Sequence, residues 1–266
     1  MVARVLAGFA LAAGAAFTAC SGKPRPEEVT RVPARQDAAI GDAIGDAKRP
    51  IDAPAARPAT GDLQIRVEWP DVPVVARSSP GRTPCNTPRT PSVAPTTTWG
   101  VPDALVIVAG AAPPLAGAHL TLADCTLTPR LAEGNALAIT SAVDRPAKLV
   151  LRKRGTAASL GQLVTGEPIP VMLPIAGHTV TTPLDPGAIY ALETDAADPE
   201  VAFIVSVPGG YVTEASGQII ARDLAVGSHA VTAWLPPRAG QPARTGRGTA
   251  TVTSGELTEL TITLAP

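Results

Sequence analysis

Residues 61–69 read Gly61-Asp62-Leu63-Gln64-Ile65-Arg66-Val67-Glu68-Trp69. Leu63, Ile65, Val67 and Trp69 alternate with Gln64, Arg66 and Glu68. A period of two places the apolar side chains on one face and the polar ones on the other, which is a β-strand with one buried face. A helix needs apolar residues every three to four positions, and no segment after Gly61 sustains that spacing. The strand signal recurs instead, at Leu105 to Val108, His119 to Ala123, Leu137 to Ser141, Lys148 to Leu151, Val171 to Leu173 and His178 to Thr182. It continues at Ala188 to Glu193, Val201 to Val207, Tyr211 to Thr213, Gln218 to Ile220, His229 to Leu235, Thr249 to Thr253 and Leu260 to Leu264. Gly, Pro, Asp and Asn punctuate the gaps. Many short strands with frequent turns predict an all-β chain of sandwich architecture. Residues 72–101 break the pattern. They are dense in Pro, Ser, Thr and Arg, and read as a long loop of the first folded unit, either tied down through Cys85 or mobile.

Upstream of the first strand, Ser21 to about Thr60 carries Pro24, Pro26, Pro33, Pro50, Pro54 and Pro58, many Ala, and the repeat Ile40-Gly41-Asp42-Ala43, Ile44-Gly45-Asp46-Ala47. With few large apolar side chains to bury, this stretch is expected to be a disordered tether. Before it stand Met1-Val2-Ala3-Arg4, the apolar run Val5 to Ala16, and Phe17-Thr18-Ala19-Cys20. A positive start, a short apolar core and small residues before a cut describe a secretory signal peptide. The apolar run is too short for a membrane span, which takes ~20 residues. A cut just before a cysteine resembles the bacterial lipoprotein signal, with Phe17 where that family usually has Leu. The resemblance implies a lipid such as palmitate on the Cys20 thiol and a mature chain that begins there. It also implies a stable membrane anchor in the cell envelope, since several acyl chains hold where one does not. Ser21 in place of Asp favours the outer membrane.

The chain's 266 residues allow one large or two small domains. A net charge of -1 gives no electrostatic case for nucleic acid as a partner. Only 3% of residues are aromatic, which argues against a carbohydrate-stacking cleft. The cysteines are Cys20, Cys85 and Cys125. With Cys20 lipidated, two thiols remain in an oxidising compartment, and a Cys85–Cys125 disulfide is the simplest outcome. The other reading is two independent buried thiols.

Two passages resemble a family of secreted bacterial proteins in which a cupredoxin-like (plastocyanin-like) sandwich precedes a carboxypeptidase regulatory-like sandwich. The first is Asp124-Cys125-Thr126-Leu127-Thr128-Pro129-Arg130, continuing through Leu131-Ala132-Glu133-Gly134 to Leu137-Ala138-Ile139-Thr140-Ser141. The second is Gly210-Tyr211-Val212-Thr213-Glu214-Ala215-Ser216-Gly217-Gln218-Ile219, then Asp223-Leu224-Ala225-Val226-Gly227-Ser228-His229-Ala230-Val231, with Trp234-Leu235 beyond. The resemblance implies a cupredoxin-like module over 61–207 and a regulatory-like module over 208–266, behind a signal peptide (1–19) and a lipidated, disordered linker (20–60). Copper needs two imidazoles and a thiolate with a weak axial thioether. The places where the family presents them hold Asp144, Arg145, Pro146 and Ala147, and then Leu192 through Glu193, Asp195 and Asp198 to Pro199. Met172 alone is not a copper site, so no metal or other cofactor is expected.

Other candidates read blandly. His119, His178 and His229 lack ligand spacing and are expected to be structural. Glu193, Asp195, Asp198 and Glu200 form an acidic loop, solvated or, less simply, calcium-binding. Ser216 is a turn residue, and no Gly-x-Ser-x-Gly or phosphate loop is present. Arg152-Lys153-Arg154 reads as a solvated turn. Arg244 and Gly246-Arg247-Gly248 decorate a hairpin. These readings point to a non-catalytic, lipid-anchored envelope protein with no catalytic residues, acting as an interaction or structural module toward an unidentified envelope protein or ligand. The alternative is a periplasmic copper-handling or electron-transfer protein of cupredoxin type.

Overall fold

The computed structural model describes residues 59–265, apart from 95, 96, 98, 113, 114, 161 and 239. The expected signal peptide, Cys20 and most of the expected linker lie outside the described residues.

The described chain is all-β. Its strands are β1 (Thr60–Glu68), β2 (Leu105–Val108), β3 (Gly117–Ala123), β4 (Thr126–Thr128), β5 (Leu131–Glu133), β6 (Ala136–Ser141), β7 (Ala147–Thr156) and β8 (Pro168–Leu173). There follow β9 (Thr179–Pro183), β10 (Ala188–Thr194), β11 (Val201–Ser206), β12 (Gly210–Val212), β13 (Gln218–Ala225), β14 (Gly227–Leu235), β15 (Arg244–Val252) and β16 (Leu257–Thr263). The helical elements are one turn of α-helix, α1 (Val74–Arg77), and a 3-10 turn at Ala157–Ser159. Among the described residues no helix is long and apolar enough to cross a membrane.

Four sheets form, in the orders β13-β1-β16, β12-β2-β14-β15, β5-β11-β10-β7-β8 and β4-β3-β6-β9. The first two enclose one core. Leu63, Ile65 and Val67 of β1 are fully buried in it, against Val106, Val231, Ala233 and Ile262. The last two enclose a second core around Leu120, Leu137, Ile139, Leu149, Leu151, Leu192 and Ile204. A third cluster lies between the sandwiches, where Leu105 and Trp234 meet Leu131, Ile189, Phe203 and Val205. Each middle sheet therefore buries both faces. Ala188 to Leu192 and Ala202 to Ser206 are accordingly buried at every position, whereas β1 alternates. Phe203 and Trp234 meet edge to face with centroids 5.5 Å apart, a geometry worth about 0.5–1.5 kcal/mol beyond area burial.

The expected boundary at 207/208 does not match the pairing. β1 lies antiparallel to β13, with Leu63 opposite Ala221, and parallel to β16, with Leu63 opposite Thr258. β2 pairs with β12 and β14. The strands of 60–108 thus belong with those after Gly210, and the strands from β3 to β11 form a sandwich inserted between β2 and β12. The physical reason is that β1's apolar face and hydrogen-bonding edges are satisfied by strands distant in sequence, and alternation carries no information about partners. At the crossing the leaving chain touches the arriving one. Val108 N–H donates to Gly209 O at 2.9 Å. A Cβ at Gly209, whose φ is +73°, would stand 2.6 Å from Val108 O.

β4, β5 and α1 escaped the strand-by-strand reading. They are three or four residues each, and no run of β-branched or aromatic residues marks β4 or β5. The run 152–154 is not a turn but the outer part of β7.

Candidate functional site

Cys85 and Cys125 are joined in a disulfide, with Cα atoms 5.7 Å apart. The bond is one of several ties on the 72–101 segment. Ala76 of α1 and Val93 enter the first core, and Val93 N–H donates to Ala76 O at 3.1 Å. Thr87 Oγ1 donates to Asp124 O at 3.2 Å. Arg89, only 5% exposed, donates through Nε to Arg82 O, through Nη1 to Glu200 Oε1 at 2.8 Å, and through Nη2 to the carbonyl and carboxylate of Asp198. The loop is tied, and a buried guanidinium rather than the disulfide alone fixes it to the turn after β10.

That clamp forms one wall of a cleft of about 330 Å³ at the junction of the two sandwiches. Phe203 and Val201 of β11 and Ala191 of β10 supply its apolar floor. Arg154, from β7, enters with Nη1 3.7 Å from Glu193 Oε1 and its Nε buried without a partner. Arg130, just before β5, donates through Nη1 to Pro91 O. Arg238, beyond β14, is 8% exposed. Its backbone exchanges two hydrogen bonds with Gln241, which holds the turn. Its Nη2 reaches Asp103 O at a long 3.4 Å, while Nε and Nη1 are buried with no partner among the described residues. Thr213 fixes that carbonyl's turn, its Oγ1 accepting from Ala104 N–H at 2.9 Å and donating to Val101 O at 2.7 Å.

Burial depresses the Arg130 guanidinium. It lowers Arg238 to about 9, and the positive charge of Arg130 adds to the effect; Asp103 and Glu200 oppose it at a distance. Among the described residues neither Arg130 nor Arg238 forms an ion pair. Both remain charged at neutral pH, so the cleft presents fixed hydrogen-bond donors. A guanidinium in that state is neither a proton acceptor nor a nucleophile.

The residues singled out from sequence fall elsewhere or serve structure. His229 is held between two carbonyls, with Nδ1 2.8 Å from Ala109 O and Nε2 2.7 Å from Ala225 O. His119 and His178 are exposed. The acidic loop is occupied by cations: Asp195 by Lys148, Glu193 by Arg152 and Arg154, and Asp198 and Glu200 by Arg89. Among the described residues no group of three or more His, Cys, Asp or Glu side chains is arranged to hold a metal. Met172 lies half-exposed on the edge strand β8. Arg244 stacks 4.0 Å over the Trp69 ring, packing rather than decorating its hairpin. Sequence reading missed Arg89, Arg130 and Arg238, which stand far apart in the chain and meet only through the inserted topology.

No protein-family model, curated protein or solved structure matches the chain.

Proposed function

We propose that this chain is a non-catalytic, lipid-anchored cell-envelope protein whose two β-sandwiches act as an interaction module. The observation that carries the reading is the Cys85–Cys125 bond. Stable disulfides belong to oxidising compartments, and the sequence ahead of the strands has the layout of a lipoprotein signal ending at Cys20. The cleft at the sandwich junction supports the binding reading, because it gathers arginine donors, charged at neutral pH, beside carboxylates already held by other arginines. The cupredoxin-like and regulatory-like resemblance remains part of this proposal as a relationship of architecture. The anchor would hold the body at a membrane, with the outer membrane favoured by Ser21.

Metabolic labelling with a fatty acid tests the anchor. The wild-type chain takes up label and fractionates with membrane, and Cys20→Ser does neither. Equal labelling of both, or a soluble wild type, refutes it.

A further inference from the structure

We propose that the junction cleft binds an oxyanion, a carboxylate or phosphate group on a small and partly apolar molecule, gripped by Arg238 and Arg130. This rests on the binding-module reading and deepens it.

The argument begins with Arg238. A guanidinium carries five N–H donors and no acceptor. In a site 92% removed from solvent, every unpaired donor is costly, and a charge without a counter-charge is costlier still. Arg238, which lines the cleft, has one long bond to a carbonyl, and its Nε and Nη1 are buried with no partner among the described residues. Arg130, a second guanidinium without an ion pair, lines the same cleft, so two like charges share a poorly solvated space. An oxyanion between them would neutralise the repulsion, and a small turn of the Arg238 guanidinium would bring its idle donors onto it in the planar fork that matches carboxylate and phosphate.

The carboxylates nearby do not fill that role. Asp198 and Glu200 line the cleft but are consumed by Arg89, and Glu193 by Arg152 and Arg154. Those pairs cancel negative charge that would otherwise repel an anion. Phe203, Val201 and Pro237 give the cleft an apolar side, so the anionic head is expected to carry a short apolar body. A volume of about 330 Å³ suits a small molecule rather than a polymer.

Isothermal titration of the full mature chain with inorganic phosphate and with 4-methylpentanoate, against chloride at matched ionic strength, tests the idea. The expected result is saturable binding of at least one probe, weakened about 10-fold or more in Arg238→Met and in Arg130→Gln, the factor that one charge-assisted hydrogen bond supplies. Arg238→Met is also expected to melt higher than the wild type without ligand, because it removes a buried charge held ready for a partner. A purely structural arginine would melt lower on removal. Absence of saturable binding by either probe overturns the proposal, as does equal binding by wild type and both variants. Arg130→Gln, at a partly exposed position, keeps the test decisive if Arg238→Met fails to fold. The titration is independent of fatty-acid labelling, so a failed anchor and an empty cleft are separate results.

Discussion

Replacing Glu133 by Gln should flatten a pH dependence built into the sandwich junction. Glu133 ends β5, and its Oε2 is buried without a hydrogen-bond partner among the described residues. A Cβ on Gly210 would lie 3.6 Å from that oxygen, an ordinary contact distance, so β12 borders it without supplying a donor. Burial raises the carboxyl from its ordinary 4.5 to about 7 and, together with the charge of Glu133, lifts the nearby Tyr211 hydroxyl. Below pH 4.5 the carboxyl is protonated in both the folded and unfolded chain, and burial carries no charge penalty. Between 4.5 and 7 the unfolded chain ionises while the folded one keeps its proton, so stability falls as pH rises. Above 7 both are ionised and the penalty is complete. At 1.36 kcal/mol for each tenfold change in proton affinity, the rise corresponds to about 3 kcal/mol. The side chain is only partly buried, and solvent screening reduces this to about 1–2 kcal/mol. Urea unfolding of wild type and Glu133→Gln at pH 4.5, 5.5, 6.5 and 7.5 reads the difference directly. The stability advantage of the variant over wild type should grow by about 1–2 kcal/mol over that range and then level off. A constant difference, or one that grows toward acid, would refute the reasoning.

Three further outcomes are expected. The double variant Cys85→Ser, Cys125→Ser frees a loop spanning 40 residues and should lose about 4 kcal/mol by the chain-entropy relation; an unchanged urea midpoint would contradict it. Arg89→Met strips the 72–101 loop of its clamp and should cost about 2–4 kcal/mol, less than a wholly buried pair because Asp198 is 81% exposed. Limited proteolysis should then cut within 72–101, and resistance equal to wild type would argue against the clamp. Gly217→Ala should cost about 1–3 kcal/mol, measured by thermal melting, because φ is +76° and the new Cβ would sit 2.5 Å from Val101 N.

Local alternation made the fold class legible, and it did so best where one face is wet. β1 shows the period openly because Gln64, Arg66 and Glu68 stay on the outer side of their sheet. β10 and β11 were legible as strands by length and by apolar content, yet nothing in them announced that a second sandwich would cover the outer face. The pairing of β1 with β13 and β16 was not legible, since alternation fixes a face and not a neighbour. Cysteine parity pointed to the Cys85–Cys125 bond because only two thiols were left to pair. The cleft was hidden for the opposite reason. Arg89, Arg130, Arg154 and Arg238 are four common residues in four segments, and no spacing rule connects them.

The insertion sets an order of events during synthesis. β1 is made first among the described strands, but its neighbours on both edges begin only at Gln218 and Leu257. The inserted sandwich has all of its strands by Ser206 and can close while β1 is still waiting. Until Gln218 emerges, the nascent chain carries an apolar ribbon with both edges open, and until Leu257 emerges one edge stays open, a form prone to pair with a stranger. A stop just before Leu257 would therefore leave the inserted sandwich whole and still strand the first-made segment, giving a protein that looks half folded and aggregates from its beginning.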